Sequence, residues 1–235
     1  MAGLAESSLD GKGIVVAKDS RGPVLVDQKA EMRRLYRRHR HSLDRDYRHQ
    51  ASQAIVARLA AWEPVSAARR VMSYLSFNDE VETFPLVRRL LAEGKSVVVP
   101  YIHQVTINLI PAEITNLEHD LQVGPMGILE PRPEHLRPVD PRTIDMHVVP
   151  GVVFDEMGFR IGYGKGHYDR FLVQRSPHSV IVGVAFDVQL AESLPHELWD
   201  IPMDFIATES QTLDCSVARS EKPGELSLFQ QPRLG

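Results

Sequence analysis

Residues 158–170 read Gly-Phe-Arg-Ile-Gly-Tyr-Gly-Lys-Gly-His-Tyr-Asp-Arg. Gly162, Gly164 and Gly166 alternate with side chains, and without a Cβ at these positions a ligand can come close to the backbone amides. Arg160 and Lys165 add fixed positive charge of the kind that suits a polyphosphate. An apolar run at 146–154 precedes this loop and a helix-compatible run at 165–174 follows it. A strand-to-helix loop of this kind turns free N–H groups and a helix dipole toward an anion. A Walker loop does not fit, because five residues separate Gly158 from Gly164-Lys165 and Gly166 stands where Ser or Thr is needed. Nor does the dinucleotide fingerprint, since the spacing is G-x-G-x-G and the loop comes late in the chain. From its glycine spacing alone, the loop reads as well as a tight turn with incidental charge.

Other candidate groups lie far away in sequence. Lys29 and Arg33 are four apart, so on a helix they share a face and could grip one phosphate together. Eight Lys and Arg residues lie between Lys29 and Arg48, and most of them must form a solvated face or one that touches RNA. Asp79, Glu80 and Glu82 follow an apolar run and precede Thr83-Phe84-Pro85, so they also read as charge at a helix start. Asp169 and Asp200 offer the oxygen ligands that Mg²⁺ prefers, whereas Asp204 reads as structural. Ten histidines are scattered through the chain, and none shows metal-ligand spacing with an acid or cysteine.

The elements that must position these groups follow from periodicity. Residues 29–62 contain neither glycine nor proline, and Tyr47, Ala51, Ile55, Leu59 and Trp62 recur at helical spacing, with Ser42 expected to cap the second of two helices. A helix is expected from Thr83 to a cap at Gly94. Apolar runs at 71–75, 96–100, 146–154, 180–186 and 205–208 read as buried strands. Their alternation with helical segments predicts one α/β domain, a mostly parallel sheet covered on both faces by helices. Ligands then sit at the carboxyl ends of strands, in the loops after Leu75, Pro100 and Phe154. The domain is expected over 28–214, with extensions at 1–27 and 215–235.

Composition sets the outer limits. The chain has 235 residues, a 43% hydrophobic and 25% charged composition and a net charge of −4, so nothing in its overall charge favours nucleic acid or anionic lipid. A single cysteine, Cys215, rules out an internal disulfide or a cysteine metal cluster. No run approaches the ~18 apolar residues of a membrane span, and the first residues lack a secretory pattern. A cytoplasmic monomer is expected, with no membrane or nucleic-acid partner.

The loop resembles the signature of the 5-formyltetrahydrofolate cyclo-ligases, roughly R-x-G-x-G-K-G-Y-Y-D, with His167-Tyr168 in place of the paired tyrosines. The resemblance extends over most of residues 29–208. It takes in Lys29 and Arg33, Ser76-Phe77-Asn78-Asp79-Glu80-Val81-Glu82-Thr83, Gly124-Pro125-Met126-Gly127-Ile128-Leu129-Glu130-Pro131, Val149-Pro150-Gly151-Val152-Val153-Phe154-Asp155 and Asp200-Ile201-Pro202-Met203-Asp204. It implies ATP as co-substrate, bound through Lys29, Arg33, Arg160, Gly162, Tyr163, Gly164, Lys165, Gly166, His167 and Tyr168. It further implies Mg²⁺ on Asp169 and Asp200, and folate beside Leu75, Glu80 and Met126. Arg160, Lys165 and Tyr168 would serve catalysis. The implied reaction phosphorylates the formyl oxygen of 5-formyltetrahydrofolate; N10 then closes the ring of 5,10-methenyltetrahydrofolate and phosphate departs. His167 also leaves open an ATP-dependent enzyme acting on another small molecule, and the basic helix leaves open a non-catalytic RNA-binding relative.

Overall fold

The computed structural model describes residues 22–103, 105–124 and 127–221. Of the extensions expected at 1–27 and 215–235, residues 1–21 and 222–235 lie outside the described residues, as does Met126. In chain order the elements are α1 (Gly22–His41), α2 (Arg45–Ala60), α3 (Glu63–Ala67), β1 (Arg70–Ser73), α4 (Phe84–Ala92), β2 (Ser96–Ile102), β3 (Leu109–Ile114), β4 (Leu121–Val123), β5 (Leu129–Pro131) and β6 (Met146–Val149). They continue with β7 (Val153–Asp155), β8 (Arg160–Ile161), α5 (His167–Leu172), β9 (Val180–Val184), β10 (Leu190–Ala191), β11 (Phe205–Ala207), β12 (Thr212–Asp214) and α6 (Cys215–Glu221).

Seven strands form the main sheet in the order β12-β11-β9-β6-β1-β2-β3. The inner five are parallel, and antiparallel β12 and β3 close the two edges. Alternation along each strand assigns side chains to opposite faces. Val71, Val97, Val99, Val148 and Val182 pack with Ile55 and Leu59 of α2 and Leu86 and Leu90 of α4. Their strand neighbours Met72, Val98, Val149 and Ile181 pack on the other face with Phe171 and Leu172 of α5 and Cys215 of α6. Burial on both faces explains why these strands read as continuous apolar runs rather than alternating ones. The expected α/β class, with a largely parallel sheet between helical layers, is what the chain forms.

Several boundaries differ from those the sequence suggests. Asp44, not Ser42, caps α2: its Oδ1 accepts the amides of Asp46 at 2.8 Å and Tyr47 at 3.4 Å, while the Ser42 hydroxyl donates to the His39 carbonyl at the end of α1. The 146–154 run divides into β6 and β7 at Pro150-Gly151, because proline has no amide with which to continue a ladder. Helix α1 begins at Gly22, and α6 begins at Cys215, which is fully buried.

After β2 and β3 the chain crosses β1 to form β6. That reversal between β1 and β6 opens a crevice at their carboxyl ends, where ligands bind in open parallel sheets. Pro150 after β6 lines it, and the loop after β1 brings Glu80 to the far side of Tyr163, which also lines it.

Candidate active site

A cavity of about 630 Å³ lies over this crevice. Its walls are one face of α1, the loop from β8 to α5, and residues 197–200 before β11. Lys29, Arg33, Arg160, Gly162, Tyr163, Gly164, Lys165, Gly166, His167, Tyr168, Asp169 and Asp200 all line it, so the phosphate and metal candidates converge from three distant parts of the chain.

Local geometry gives the reasons. Gly164 and Gly166 have φ of +95° and +61°, a region in which a side chain is strained. The loop folds over α1, where the Arg33 Nε donates to the Gly162 carbonyl at 2.7 Å. Helix α5 has only six residues, shorter than the sequence suggests, so side-chain cations rather than a long helix dipole dominate the cavity field. Lys29 Nζ bonds Asp200 Oδ2 at 2.5 Å and Glu197 Oε2 at 2.7 Å. Arg160, with its side chain only 5% exposed, donates to Asp169 Oδ1 at 3.0 Å, and the Ile201 amide donates to the same oxygen at 3.3 Å. Asp169 Oδ2 and Asp200 Oδ1 enter no hydrogen bond among the described residues, so each carboxylate keeps an oxygen suited to a hard cation.

Three buried polar atoms in this wall have no hydrogen-bond partner among the described residues: Arg160 Nε, His167 Nε2 and the Tyr168 hydroxyl. Groups of that kind favour a polar ligand that completes them. The Tyr168 phenol lies in a buried setting that raises its pKa, with the Arg160 guanidinium 5.6 Å from its ring centre. Burial first, then Arg170 and Lys165, lowers the pKa of His167.

Glu80 sits across Tyr163 from the cavity. The Tyr163 hydroxyl donates to Glu80 Oε1 at 2.6 Å, and the Phe77 amide donates to Glu80 Oε2 at 3.0 Å. Burial raises the pKa of the Glu80 carboxyl, opposed by these two hydrogen bonds. Burial and the facing carboxylate push the Tyr163 phenol up to about 12. Arg40 completes the group: buried in α1, it donates from Nη2 to the Tyr163 hydroxyl at 2.9 Å and to Asp79 Oδ1 at 2.8 Å. Asp79 therefore holds Arg40, a different use from the helix-start charge the sequence suggests. Leu75 is a buried core residue that leads into this loop. Asp204 accepts the Ile181 amide at 2.8 Å, a structural role as expected.

No local pattern of residues points to Arg40, Glu197 or Trp199. Arg40 is one basic residue among many in its helix. Glu197 reveals itself only through its ion pair with Lys29. Trp199, 64% exposed on the cavity rim, is an indole left unburied.

The family model of the 5-formyltetrahydrofolate cyclo-ligases matches residues 26–209. The 5-formyltetrahydrofolate cyclo-ligase of Escherichia coli (strain K12) is 34% identical, over 75% of this chain and 98% of its own. That of Saccharomyces cerevisiae is 30% identical, over 76% and 93%. The solved 5,10-methenyltetrahydrofolate synthetase of Aquifex aeolicus superposes with a TM-score of 0.71 at 32% identity, over 80% of this chain and 92% of its own. The matched span begins inside α1 and ends past β11, so it includes every wall of the cavity, and the chain belongs to the 5-formyltetrahydrofolate cyclo-ligase family.

Proposed function

We propose that this ligase converts 5-formyltetrahydrofolate to 5,10-methenyltetrahydrofolate in a reaction that consumes ATP, requires Mg²⁺ and releases ADP and phosphate. The observation that carries the reading is the gathering of Lys29, Arg33, Arg160 and Lys165 around one cavity whose wall joins Glu80 through the Tyr163 hydroxyl. Phosphate-binding and folate-binding chemistry thereby meet across a single side chain.

In this reading the phosphates of ATP lie along the glycine loop, and the pterin pairs its donor-rich edge with the Glu80 carboxylate. Arg40 and Tyr163 fix that carboxylate, so substrate meets an acceptor already oriented. Lys165 and Arg160 stabilise the charge that develops as the formyl oxygen takes the γ-phosphoryl group. Lys29 and Arg33 anchor the phosphates from α1, and Trp199 offers an exposed face to the base. Asp169 and Asp200 would hold Mg²⁺, which when bound offsets phosphate charge. After transfer, N10 bonds to the activated formyl carbon and loses its proton, and phosphate carries away the former formyl oxygen. No covalent enzyme intermediate is needed. We place the enzyme in the cytoplasm as a monomer; no helix among the described residues is long and apolar enough to cross a membrane.

The test is the appearance of the methenyl chromophore, with ADP release, on mixing the protein with 5-formyltetrahydrofolate and Mg-ATP. Lys165→Ala is expected to lower kcat by roughly 10²–10³, the cost of losing one charge-stabilising donor. Folded wild-type protein that binds ATP and forms no methenyl product would remove the substrate assignment.

A further inference from the structure

We infer that His119, Asp120 and His135 form a second cation site, which takes a divalent transition ion such as Zn²⁺ at the base of the β4–β5 ribbon. Nδ1 of His119 lies 3.6 Å from Asp120 Oδ1, and Nδ1 of His135 lies 3.8 Å from the same oxygen. Both separations exceed hydrogen-bond reach, yet one ligand atom from each of the three residues lies within 4.8 Å of the other two. Two imidazole nitrogens that converge on a carboxylate oxygen without bonding it leave room for an ion at about 2.0–2.2 Å from each, after a small closure of the two rings. The rings are already in edge contact, with centres 4.6 Å apart.

The carboxylate is built to stay in place. Asp120 is 1% exposed, and its Oδ2 accepts the Thr115 amide at 2.7 Å, the Thr115 hydroxyl at 3.0 Å and the Asn116 amide at 3.2 Å. These bonds turn Oδ1 toward the imidazoles. Two imidazoles with one carboxylate select zinc, nickel or copper over the hard cations Mg²⁺ and Ca²⁺. His119 is largely exposed, which leaves a coordination position for water.

Arg137 is the competitor. Its Nη2 lies 3.1 Å from Asp120 Oδ1, and its side chain is 40% exposed, so it can withdraw into solvent when an ion arrives. It supplies in the metal-free chain the positive charge that the ion would supply. The site also has a mechanical consequence. The Arg132 amide donates to the Asp120 carbonyl at 2.8 Å, and Leu121 pairs with Pro131, so an ion would clamp both arms of the ribbon. The turn of that ribbon brings Gly127 against the Phe77 ring, beside the loop that bears Glu80. No reading of histidine spacing finds this group, because His119 and His135 meet only through the β4–β5 pairing.

Zn²⁺ titration of the full chain by calorimetry, in buffer containing excess Mg²⁺, tests the site. Wild type is expected to take up one more equivalent of Zn²⁺ than His119→Ala/His135→Ala. Single removal of either histidine should weaken that equivalent by at least the roughly 10–100-fold that loss of an outer-shell partner costs. Arg137→Gln should tighten it several-fold, a gain that no loss of folding can imitate. Equal stoichiometry and affinity in wild type and the double variant would overturn the site. An unchanged or weakened affinity in Arg137→Gln would overturn Asp120 as its third ligand.

Discussion

At the scale of the residue, the decisive arrangement is a phenol, Tyr163, that donates to the Glu80 carboxylate and is itself held by Arg40. Desolvation of the half-buried Glu80 carboxyl raises its pKa, so its proton persists to a higher pH than on an exposed glutamate. Pairing with a pterin edge needs the ionised form. The KM for folate is therefore expected to rise as pH falls through this raised pKa, at less acidic pH than an ordinary carboxylate of about 4.3 would give. Glu80→Gln should weaken folate binding by about 1.5–3 kcal/mol, the scale of a hydrogen bond to a charged group, and flatten that acidic limb. It should leave the KM for ATP nearly unchanged. The fold should tolerate it, since the amide oxygen can accept from Phe77 and the amide nitrogen can donate to the Tyr163 hydroxyl. Steady-state kinetics across pH, with each substrate varied in turn, checks all three expectations. An equal rise in both KM values would place Glu80 outside the folate site.

At the scale of the element, helix α1 matters through what it faces. Lys29, Arg33 and Arg40 are four and then seven residues apart, so one stripe of the helix meets Asp200, the glycine loop and Tyr163 in turn. The break between α1 and α2 sets the end of that stripe, and Asp44 fixes it by capping α2. Asp44→Ala is expected to cost about 1 kcal/mol. In a domain of this size that is a drop of roughly 2–4 °C in Tm, measured by thermal unfolding. The helix pattern was legible in the glycine-free, proline-free stretch, but the capping residue was not. Ser42 and Asp44 are both good caps two residues apart, and only the actual end of α1 at His41 shows which one has free amides to bind.

At the scale of the whole molecule, the sheet buries one histidine that the site does not use. His147 lies in β6, 1% exposed, with neither ring nitrogen hydrogen-bonded among the described residues. Burial, then Arg175, lowers its pKa to about 4. The unfolded chain, with an ordinary imidazole near pH 6.5, binds more protons than the folded one between these values. Stability should thus be fully present above about pH 6.5 and decline as pH falls toward about 4. His147→Leu removes the unpaired polar atoms beside the Phe171 ring, and is expected to raise stability at neutral pH by about 1 kcal/mol. It should also flatten the slope across that window. Denaturant unfolding at several pH values measures both, and an unchanged slope would show that His147 does not set the pH dependence.

The amino-acid sequence by itself determined the α/β class, the buried strands and the glycine loop with its cations. Those properties are local: apolar runs, missing Cβ atoms and charged side chains a few residues apart. It also placed Lys29, Arg33, Glu80, Asp169 and Asp200 among the candidates, through motifs that each lie within one short segment. Tertiary structure decided the rest. The crossing of β1 set the crevice, and packing of α1 onto the loop brought Arg40 to Tyr163. The return of residues 197–200 gave Lys29 its acidic partners, and the β4–β5 pairing joined His119 to His135. Each of these is a contact between segments far apart in the chain, formed because a sheet covered on both faces leaves only its strand ends open, and no local pattern of residues carries that information.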